Sequence, residues 1–584
     1  MTTIIAQYHP AAALHQPQLW ATMLDDWENL PKKVDANYTV VGDAASMPMT
    51  VALDTENAPD GTLGNWSVGW RGDDGRLYVF PSFGSQRFPF GNRRVIMHNA
   101  KWDLRVLDRA GMERPKDTVD TMVAAYSLGL GKQDVTADVR FADAGMIGGL
   151  GLKYLARRHL GMEMKTWAEV KDHPEEKEAY NVADTLATYL LWEMWKPTLP
   201  QFFWDIDMPL LEVLMAMEDR GILIDPKFLE PFAQAISTEL AGITLPFNPN
   251  SPKQIIQYIY KDLGITPWAF TKKAKQPSTE ASVLEAIDDP VVKALLRYRA
   301  LSKEKETYIE NYIERMDLEG RVHPEFKQCS TATGRLSCAR PNLQNVKKEN
   351  SEMRRLFIAP KGKKLIRLDF NQIELRVFAA LTQDEAMLKA FAEGRIIHQE
   401  TADSVGMSYD DAKRLNFGML FGLSAWGLSK EFGVTIDEAK GILARYYGKY
   451  KAIEKYMGTT KEQAEATKRV STWTGRTRRI DALYADDWRV KQEGGKQAVN
   501  MPIQGGASEI VKLAMIDLHY KHAAPMILQV HDELLFEIEE NQAEDYARWL
   551  KEYVPTITEL YGMRFPVDVS VGDNWKECID GKKS

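Results

Sequence analysis

The stretch MILQVHDELLFEI, Met526 to Ile538, sets three ionisable side chains, His531, Asp532 and Glu533, inside a run that otherwise has the composition of two buried strands. Ile527 and Leu528 on one side and Leu534, Leu535 and Phe536 on the other commit both arms to a core, so the polar triplet belongs at the tip of a hairpin. An unpaired carboxylate buried there costs several kcal/mol, on the order of the net stability of a whole domain. The acidic pair therefore needs an arginine, a water-filled cleft or a divalent metal ion. A second apolar strand, LIRLDF, ends in Asp369. If it lies beside the hairpin tip, Asp369 and Asp532 face one another, and two carboxylates so close stay ionised only when metal neutralises them.

The chain has 584 residues, too many for one core, and a prior of roughly 150 residues per domain gives about three to five domains. With 44% apolar and 27% charged residues and a net charge of −8, the composition is that of a globular protein that does not coat nucleic acid over its whole surface. Charge is unevenly spread: Lys327 to Arg367 holds eleven Lys or Arg against Glu349 and Glu352, a basic stripe suited to a polyanion groove and equally to a solvated face. Three scattered cysteines, Cys329, Cys338 and Cys578, make neither a disulfide framework nor a zinc site and suit a reducing compartment. The N-terminus lacks a signal-peptide pattern and no window approaches the ~18 apolar residues of a membrane span, so the expectation is a cytoplasmic protein without membrane association.

Short β-like runs (MTVALDTE, RLYVFPS, RRVIMHN) alternate with helical ones between Val51 and Trp195, as in an α/β domain. From Met208 to Glu319 the pattern turns helical, and DDPVVKALLRYRALSKEKETYIENYIERMD predicts a long exposed helix pair, a projecting arm. A helical block between KKLIRLDF and the mixed final 85 residues implies one domain split in sequence. TKKAKQPST, residues 271–279, is the expected mobile loop.

Two further groupings carry chemistry. Asp54 and Glu56 in VALDTE lie two apart on a strand and leave the same face, while Asn99 and Asp103, and Tyr180 and Asp184, are each four apart. Any one pair is commonly just a solvent-facing edge. Their order and spacing together suit acids converging on hard cations, with the Tyr180 hydroxyl beside Asp184 to orient water. In YDDAKRLNFGMLFG, residues Lys413, Phe417 and Phe421 recur every four positions, a point charge for a triphosphate and two ring faces for a base. Taken alone, the same stripe is an ordinary core face with a lysine snorkelling at its end.

The first set, D-x-E, N-x-x-x-D, Y-x-x-x-D, resembles the 3′–5′ proofreading exonucleases of the tyrosine-bearing DEDD type, and GLGLKYLARRHLG (149–161) resembles their intervening segment. From about Asp205 to Lys576 the chain resembles family A DNA polymerases, on NPNSPKQ, LSKEKETY, TATGRLSCARPNLQNV, DFNQIELR, KRLNFGMLFG, NMPIQGGASEIVKLAM and VHDE. The resemblance implies a multidomain α/β and α+β fold, an RNase H-like exonuclease domain followed by a right-hand polymerase. Its expected divisions are 1–200 (core 48–198) exonuclease, 201–330 thumb and start of palm, 331–385 palm, 386–498 fingers and 499–584 palm again.

By that resemblance Asp54, Glu56, Asp103 and Asp184 ligate metal in the exonuclease, with Tyr180 assisting. In the polymerase Asp369 and Asp532 ligate metal, with Glu533 an accessory acid. Each site takes two Mg²⁺, with Mn²⁺ able to substitute. Lys413, Phe417 and Phe421 bind the incoming dNTP, and Glu374 is the gate against a 2′-hydroxyl. Arg335, Asn342, Gln344, Asn345, Arg376, Lys496, Asn500, Gln504 and His531 contact primer, template or nucleotide. Tyr409 stands where the family carries an Arg toward the terminal phosphates, so that either Arg414 or a basic residue elsewhere compensates or nucleotide affinity is weaker, and Lys496 also stands in place of an Arg. The implied activity is primer-template-directed DNA synthesis with proofreading, in a monomer of phage or mobile-element type without a 5′-nuclease domain. The other readings are a single-subunit RNA polymerase, against which Glu374 and Phe417 count, and an inactive DNA-binding scaffold.

Overall fold

The computed structural model describes residues 37–42, 47–58, 61–83, 88, 90–130, 149–271, 275–346 and 351–580. Residues 272–274 of the expected loop and Lys347, Lys348 and Glu349 of the basic stretch lie outside them.

A six-stranded sheet is built from β1 (Tyr38–Val40), β2 (Thr50–Asn57), β3 (Leu63–Arg71), β4 (Leu77–Phe83), β5 (Arg94–Met97) and β6 (Asp117–Asp120), in the order β1-β4-β3-β2-β5-β6. Strand β2 runs antiparallel to β3 and parallel to β5. Val51, Ala52 and Leu53 are all buried, as expected of a central strand covered on both faces. The ladder to β5 covers only Thr50 to Ala52, so beyond it one edge of β2 is open to side chains. The helix Lys177–Trp195 packs its apolar residues against β2 and β3. Gly69 of β3 permits that approach, because a Cβ there would come within 3.0 Å of Thr185 Cγ2.

The helix Met208–Arg220 is shared by two cores: Leu211 and Met215 join the core of the six-stranded sheet, and Leu210, Val213, Leu214 and Met217 join the larger one that follows. β7 (Ile222–Ile224) and β8 (Arg321–Val322) are followed by the hairpin β9 (Glu325–Lys327) and β10 (Ser337–Ala339), and β11 (Phe357–Ile358) closes the sheet β11-β7-β8. Between β7 and β8 the expected helix pair is a single helical run, Pro290–Lys303, Glu304–Ile309 and Glu310–Arg315. It is not exposed throughout: Leu301, Ile309 and Tyr312 enter the large core. Its charged residues cover only one side, and a charged pattern alone does not separate a half-buried helix from a projecting one.

β12 (Lys363–Phe370) precedes a helical block that includes Ile373–Thr382 and Tyr409–Leu420 and the hairpin β13 (Arg469–Ser471) and β14 (Thr477–Arg479). The 35-residue helix Trp488–His522 then leads to β15 (Met526–Val530) and β16 (Glu533–Glu539), and after the small hairpin β17 (Glu559–Leu560) and β18 (Met563–Arg564) comes β19 (Val567–Gly572). The resulting antiparallel sheet, β15-β16-β12-β19, places β12 from before the block between two strands from after it.

The two cores are joined by buried charge. Glu218, 4% exposed, pairs with Lys101 at 2.5 Å and Arg105 at 2.8 Å, from the helix that carries Asp103. Asp207 accepts from Ser127 at 2.6 Å and pairs with Arg476 at 2.7 Å.

Candidate active sites and nucleic-acid cleft

On β2, Asp54 and Glu56 project from one face, and the helix Lys177–Trp195 brings Asp184 over them. Carboxylate oxygens of these three residues lie within 4.8 Å of one another. Asp103, on the helix Ala100–Arg109, stands at the open edge of β2, where its Oδ1 accepts the Thr55 N–H at 3.0 Å and the Thr55 hydroxyl at 2.7 Å. It adjoins the other three without belonging to their group, with one oxygen already engaged. Asn99 caps that helix in a left-handed conformation, φ 63°, with no side-chain capping bond, and its N–H donates to Asp120 at 3.0 Å.

The electrostatics follow from this crowding. Burial first, and then the charges of Asp184, Asp103 and Glu56, hold the Asp54 carboxyl well above the usual range. Burial and the Asp184 charge push Glu56 up to about 7. Asp103 is pushed up to about 8 by burial, against the pull of its Thr55 hydrogen bonds. Burial also raises Asp184, while the Lys153 ammonium, in direct contact with its Oδ1, works the other way. An all-oxygen set of acids that repel one another fits a hard divalent cation.

Tyr180 lies one turn before Asp184; burial and the Asp184 charge raise its hydroxyl, which stays protonated. Two residues that pattern reading passed over complete the site. Asn181 donates to Asp54 Oδ2 at 2.6 Å, and Lys153 lies over the Tyr180 ring at 4.1 Å. Asn181 stands between the two motif positions, and Lys153 lies in a segment noted only for its resemblance. A charged residue in a short amphipathic helix gives no other signal.

In the second core, β15 and β16 form a hairpin whose ladder closes at Val530 and Glu533, leaving His531 and Asp532 as its two-residue tip. His531 takes φ 58°, which turns the chain there. Asp369 is in register with Glu533, and the Phe370 N–H donates to the Asp532 carbonyl at 3.1 Å, so Asp369 and Asp532 come together. Burial and then the Asp369 charge push Asp532 up to about 7. Arg367, two residues before Asp369, contacts Asp369 and pairs with Glu533 at 2.7 Å.

Glu533, expected as an accessory acid, holds partners of its own on both oxygens. Arg354 stands 3.5 Å away and the Trp575 indole N–H donates at 2.5 Å, so both its oxygens are taken. The two acids of the hairpin thus differ: arginines neutralise Glu533, and Asp532 faces a cleft.

The cleft is made of three cavities that share lining residues. A cavity of about 560 Å³ holds Asp369, Asp532, Asn345 and Tyr308. It shares His531 and Asp532 with one of about 280 Å³ lined by Arg335, Glu374 and Gln372. Phe417 belongs both to the latter and to an outer cavity of about 820 Å³ containing Lys413, Arg414, Phe421, Arg478, Lys496 and Asn500. Lys413 and the two rings do share one face of the helix Tyr409–Leu420 and the turn after it.

Other expected contact residues hold local partners. Arg335 contacts Glu374 directly. Asn342 accepts the Gln344 N–H at 3.1 Å, and Gln344 donates to Gln529 Oε1 at 2.8 Å, a polar link to the hairpin that no sequence motif announced. Arg376 donates to the Asn371 carbonyl at 2.9 Å and lies over the Phe391 ring at 4.3 Å, and burial lowers it to about 10. Arg414 is tied to Asp411 at 3.2 Å and lies over Phe432 at 4.5 Å. Tyr409 opens its helix with its ring at the edge of His398, 5.8 Å away. Lys496 pairs with Glu493 at 3.2 Å, Asn500 approaches the Leu420 carbonyl at 3.5 Å, and Gln504 lies half-buried on the same helix.

Comparison with known proteins defines the class. A family model for DNA polymerase family A matches residues 229–577, and one for 3′-5′ exonuclease matches residues 90–199, which include Asp103, Tyr180 and Asp184 and follow Asp54 and Glu56. The chain belongs to DNA polymerase family A, and it carries an exonuclease domain ahead of the polymerase domain.

Among its relatives is DNA polymerase I of Chloroflexus aurantiacus, 33% identical over 519 residues, 82% of this chain and 54% of the relative. DNA polymerase I of Pseudomonas aeruginosa is 32% identical over 83% of this chain and 56% of the relative. The thermostable DNA polymerase I of Thermus aquaticus is 36% identical over 64% and 48%. The chain thus spans about half the length of these relatives. A solved structure, the POL domain of Pol1 from M. smegmatis in complex with DNA primer-template and dNTP, superposes with a TM-score of 0.75 at 25% identity, covering 91% of this chain and 96% of that one.

Proposed function

We propose that this protein is a DNA-directed DNA polymerase that extends a primer with dNTPs and edits its product with a 3′–5′ exonuclease. The observation that carries this is the series of three cavities sharing lining residues, with Asp369 and Asp532 together in one of them, set apart from a second acid cluster at Asp54, Glu56 and Asp184. Separate synthetic and hydrolytic sites are the physical remedy where base-pair energetics alone discriminate too weakly.

In this reading residues 201–330 form the thumb and the start of the palm, 331–385 and 499–584 the palm, and 386–498 the fingers. Asp369 and Asp532 would hold two Mg²⁺, or Mn²⁺ in its place, which would supply Lewis-acid activation of the 3′-hydroxyl and charge neutralisation on the leaving pyrophosphate. Lys413 holds the triphosphate, with Arg414 and Arg478 in the same cavity. Phe417 and Phe421 pack on sugar and base, and Glu374, kept in place by Arg335, excludes a 2′-hydroxyl. His531, Asn345, Lys496, Asn500 and Gln504 line the path of primer and template, while Asn342, Gln344 and Arg376 brace it.

In the editing site Asp54, Glu56, Asp103 and Asp184 hold the cations, and Tyr180, as a protonated hydroxyl, orients the attacking water. The setting we infer is replication by a monomeric enzyme of a phage or mobile element in the host cytoplasm. Extension and degradation of one labelled primer-template by wild type, Asp532→Ala and Asp54→Ala, side by side, tests the assignment. Loss of both activities in either variant, or of neither, overturns it.

A further inference from the structure

Lys153 is the one described cation in direct contact with the exonuclease acids. It sits on the short helix Leu152–Leu155, whose position is fixed by the buried side chains of Leu152, Leu155 and Ala156, so the ammonium is delivered into the cluster rather than left on the surface. It touches Asp184 Oδ1 and lies 4.1 Å from the centre of the Tyr180 ring, with its side chain 21% exposed. A structural ion pair would leave one carboxylate and one cation neutral together. Here three carboxyl groups converge within 4.8 Å of one another, and the one cation contacts only Asp184 among them. Lys177 stands further out, 5.5 Å over the Trp167 ring.

We propose that Lys153 is a catalytic residue of the nuclease site, resting on the exonuclease reading above. With no divalent cation bound, its ammonium is the internal counter-ion of the acid cluster. When divalent cations and a 3′ end occupy the site, the flexible stem carries the ammonium from Asp184 to a non-bridging oxygen of the scissile phosphate, where negative charge builds up.

In that reaction the water oxygen bonds to phosphorus and the bond from phosphorus to the preceding nucleotide's 3′-oxygen breaks. One water proton ends on the new 3′-hydroxyl, and the hydroxyl remainder leaves on the nucleoside 5′-monophosphate. Lys153 stays an ammonium throughout. The same residue therefore competes with metal in the free protein and assists the reaction in the loaded one, and these two roles oppose each other on substitution.

The test uses the full chain as wild type, Lys153→Ala, Lys153→Arg, Lys177→Ala and Asp54→Ala. Mn²⁺ binding is followed by calorimetry without nucleic acid, and hydrolysis on a labelled single strand. Lys153→Ala is expected to bind Mn²⁺ about tenfold more tightly, because a close positive charge is gone. It should lose about 10²-fold in hydrolytic kcat while extending primers at the wild-type rate. Lys153→Arg should recover part of the hydrolysis, and Lys177→Ala should change either readout by no more than about twofold.

Weaker Mn²⁺ binding together with slower hydrolysis in Lys153→Ala would mean that the lysine merely braces the acids, and unchanged hydrolysis would remove it from the reaction; either result overturns the proposal alone. If wild type leaves the strand intact, or Asp54→Ala cuts it as fast, the exonuclease reading itself falls.

Discussion

The two acid sites solve one electrostatic problem with different means. At the exonuclease end, three carboxylates converge and share a single flexible lysine. At the polymerase end, two buried arginines and an indole are spent on Glu533, one of those arginines also reaches Asp369, and no described residue forms an ion pair with Asp532. A guanidinium held on its strand by packing makes a fixed framework, whereas an ammonium on a four-carbon stem can be displaced. Charge neutralisation is rigid around Glu533, whereas Asp532 faces the cavities without an ion-pair partner among the described residues.

The sharpest way to break that comparison is to remove the acid on the open side. Asp532→Ala is expected to slow nucleotide addition by about 10³-fold or more in a single-turnover extension assay while strand hydrolysis persists. Extension at near wild-type rates would place the synthetic centre elsewhere. Next in size, Glu374→Ala, which frees Arg335 and opens the inner cavity, should cut discrimination against ribonucleotides by about 10²-fold, measured as the ratio of kcat/KM for dNTP and rNTP.

The rigid side is tested by Arg367→Met. Leaving Glu533 short of a buried partner should cost about 3 kcal/mol of stability, seen as a lower denaturation midpoint in urea. Removing Asp532 charge should do the reverse: in metal-free protein at pH 8, Asp532→Asn should melt about 2 °C higher than wild type.

The pH dependence carries the same sign. Asp532 is raised from 3.8 to about 7 and Glu56 from 4.5 to about 7, so in this interval the folded protein binds more protons than the unfolded chain. Their contribution to stability is full below about pH 4 and is lost as the pH rises through about 7. Melting of metal-free protein followed from pH 5.5 to 8 should therefore show these two groups lowering stability upward, with added Mg²⁺ recovering it most at the alkaline end. The smallest effect concerns the outer cavity. Arg414→Ala should raise the dNTP KM about threefold, more than Arg564→Ala on the surface, because its ties to Asp411 and Phe432 leave it only partly available to phosphate.

Much of this was legible beforehand where the cause is local. The strand face shared by Asp54 and Glu56, the stripe Lys413–Phe417–Phe421 and the hairpin around Asp532 follow from periods of two and about four residues. The single helical run that dips into the core between Leu301 and Tyr312 was not legible, because a charged face is compatible with either exposure. Lys153, Asn181 and Gln529 were missed for a related reason: each gains its meaning from a partner far away in sequence.

By itself the amino-acid order determined which donors exist, which elements carry them and to which family they belong, since backbone geometry converts spacing into direction over a few residues. Only the tertiary structure decided that Asp103 stays bound to Thr55, that Glu533 is neutralised by Arg367 and Arg354, and that Asp532 is left to the cleft. The reason is that a buried charge is settled by whichever opposite charge or opening the long-range packing brings within a few ångströms, and no local pattern encodes that choice.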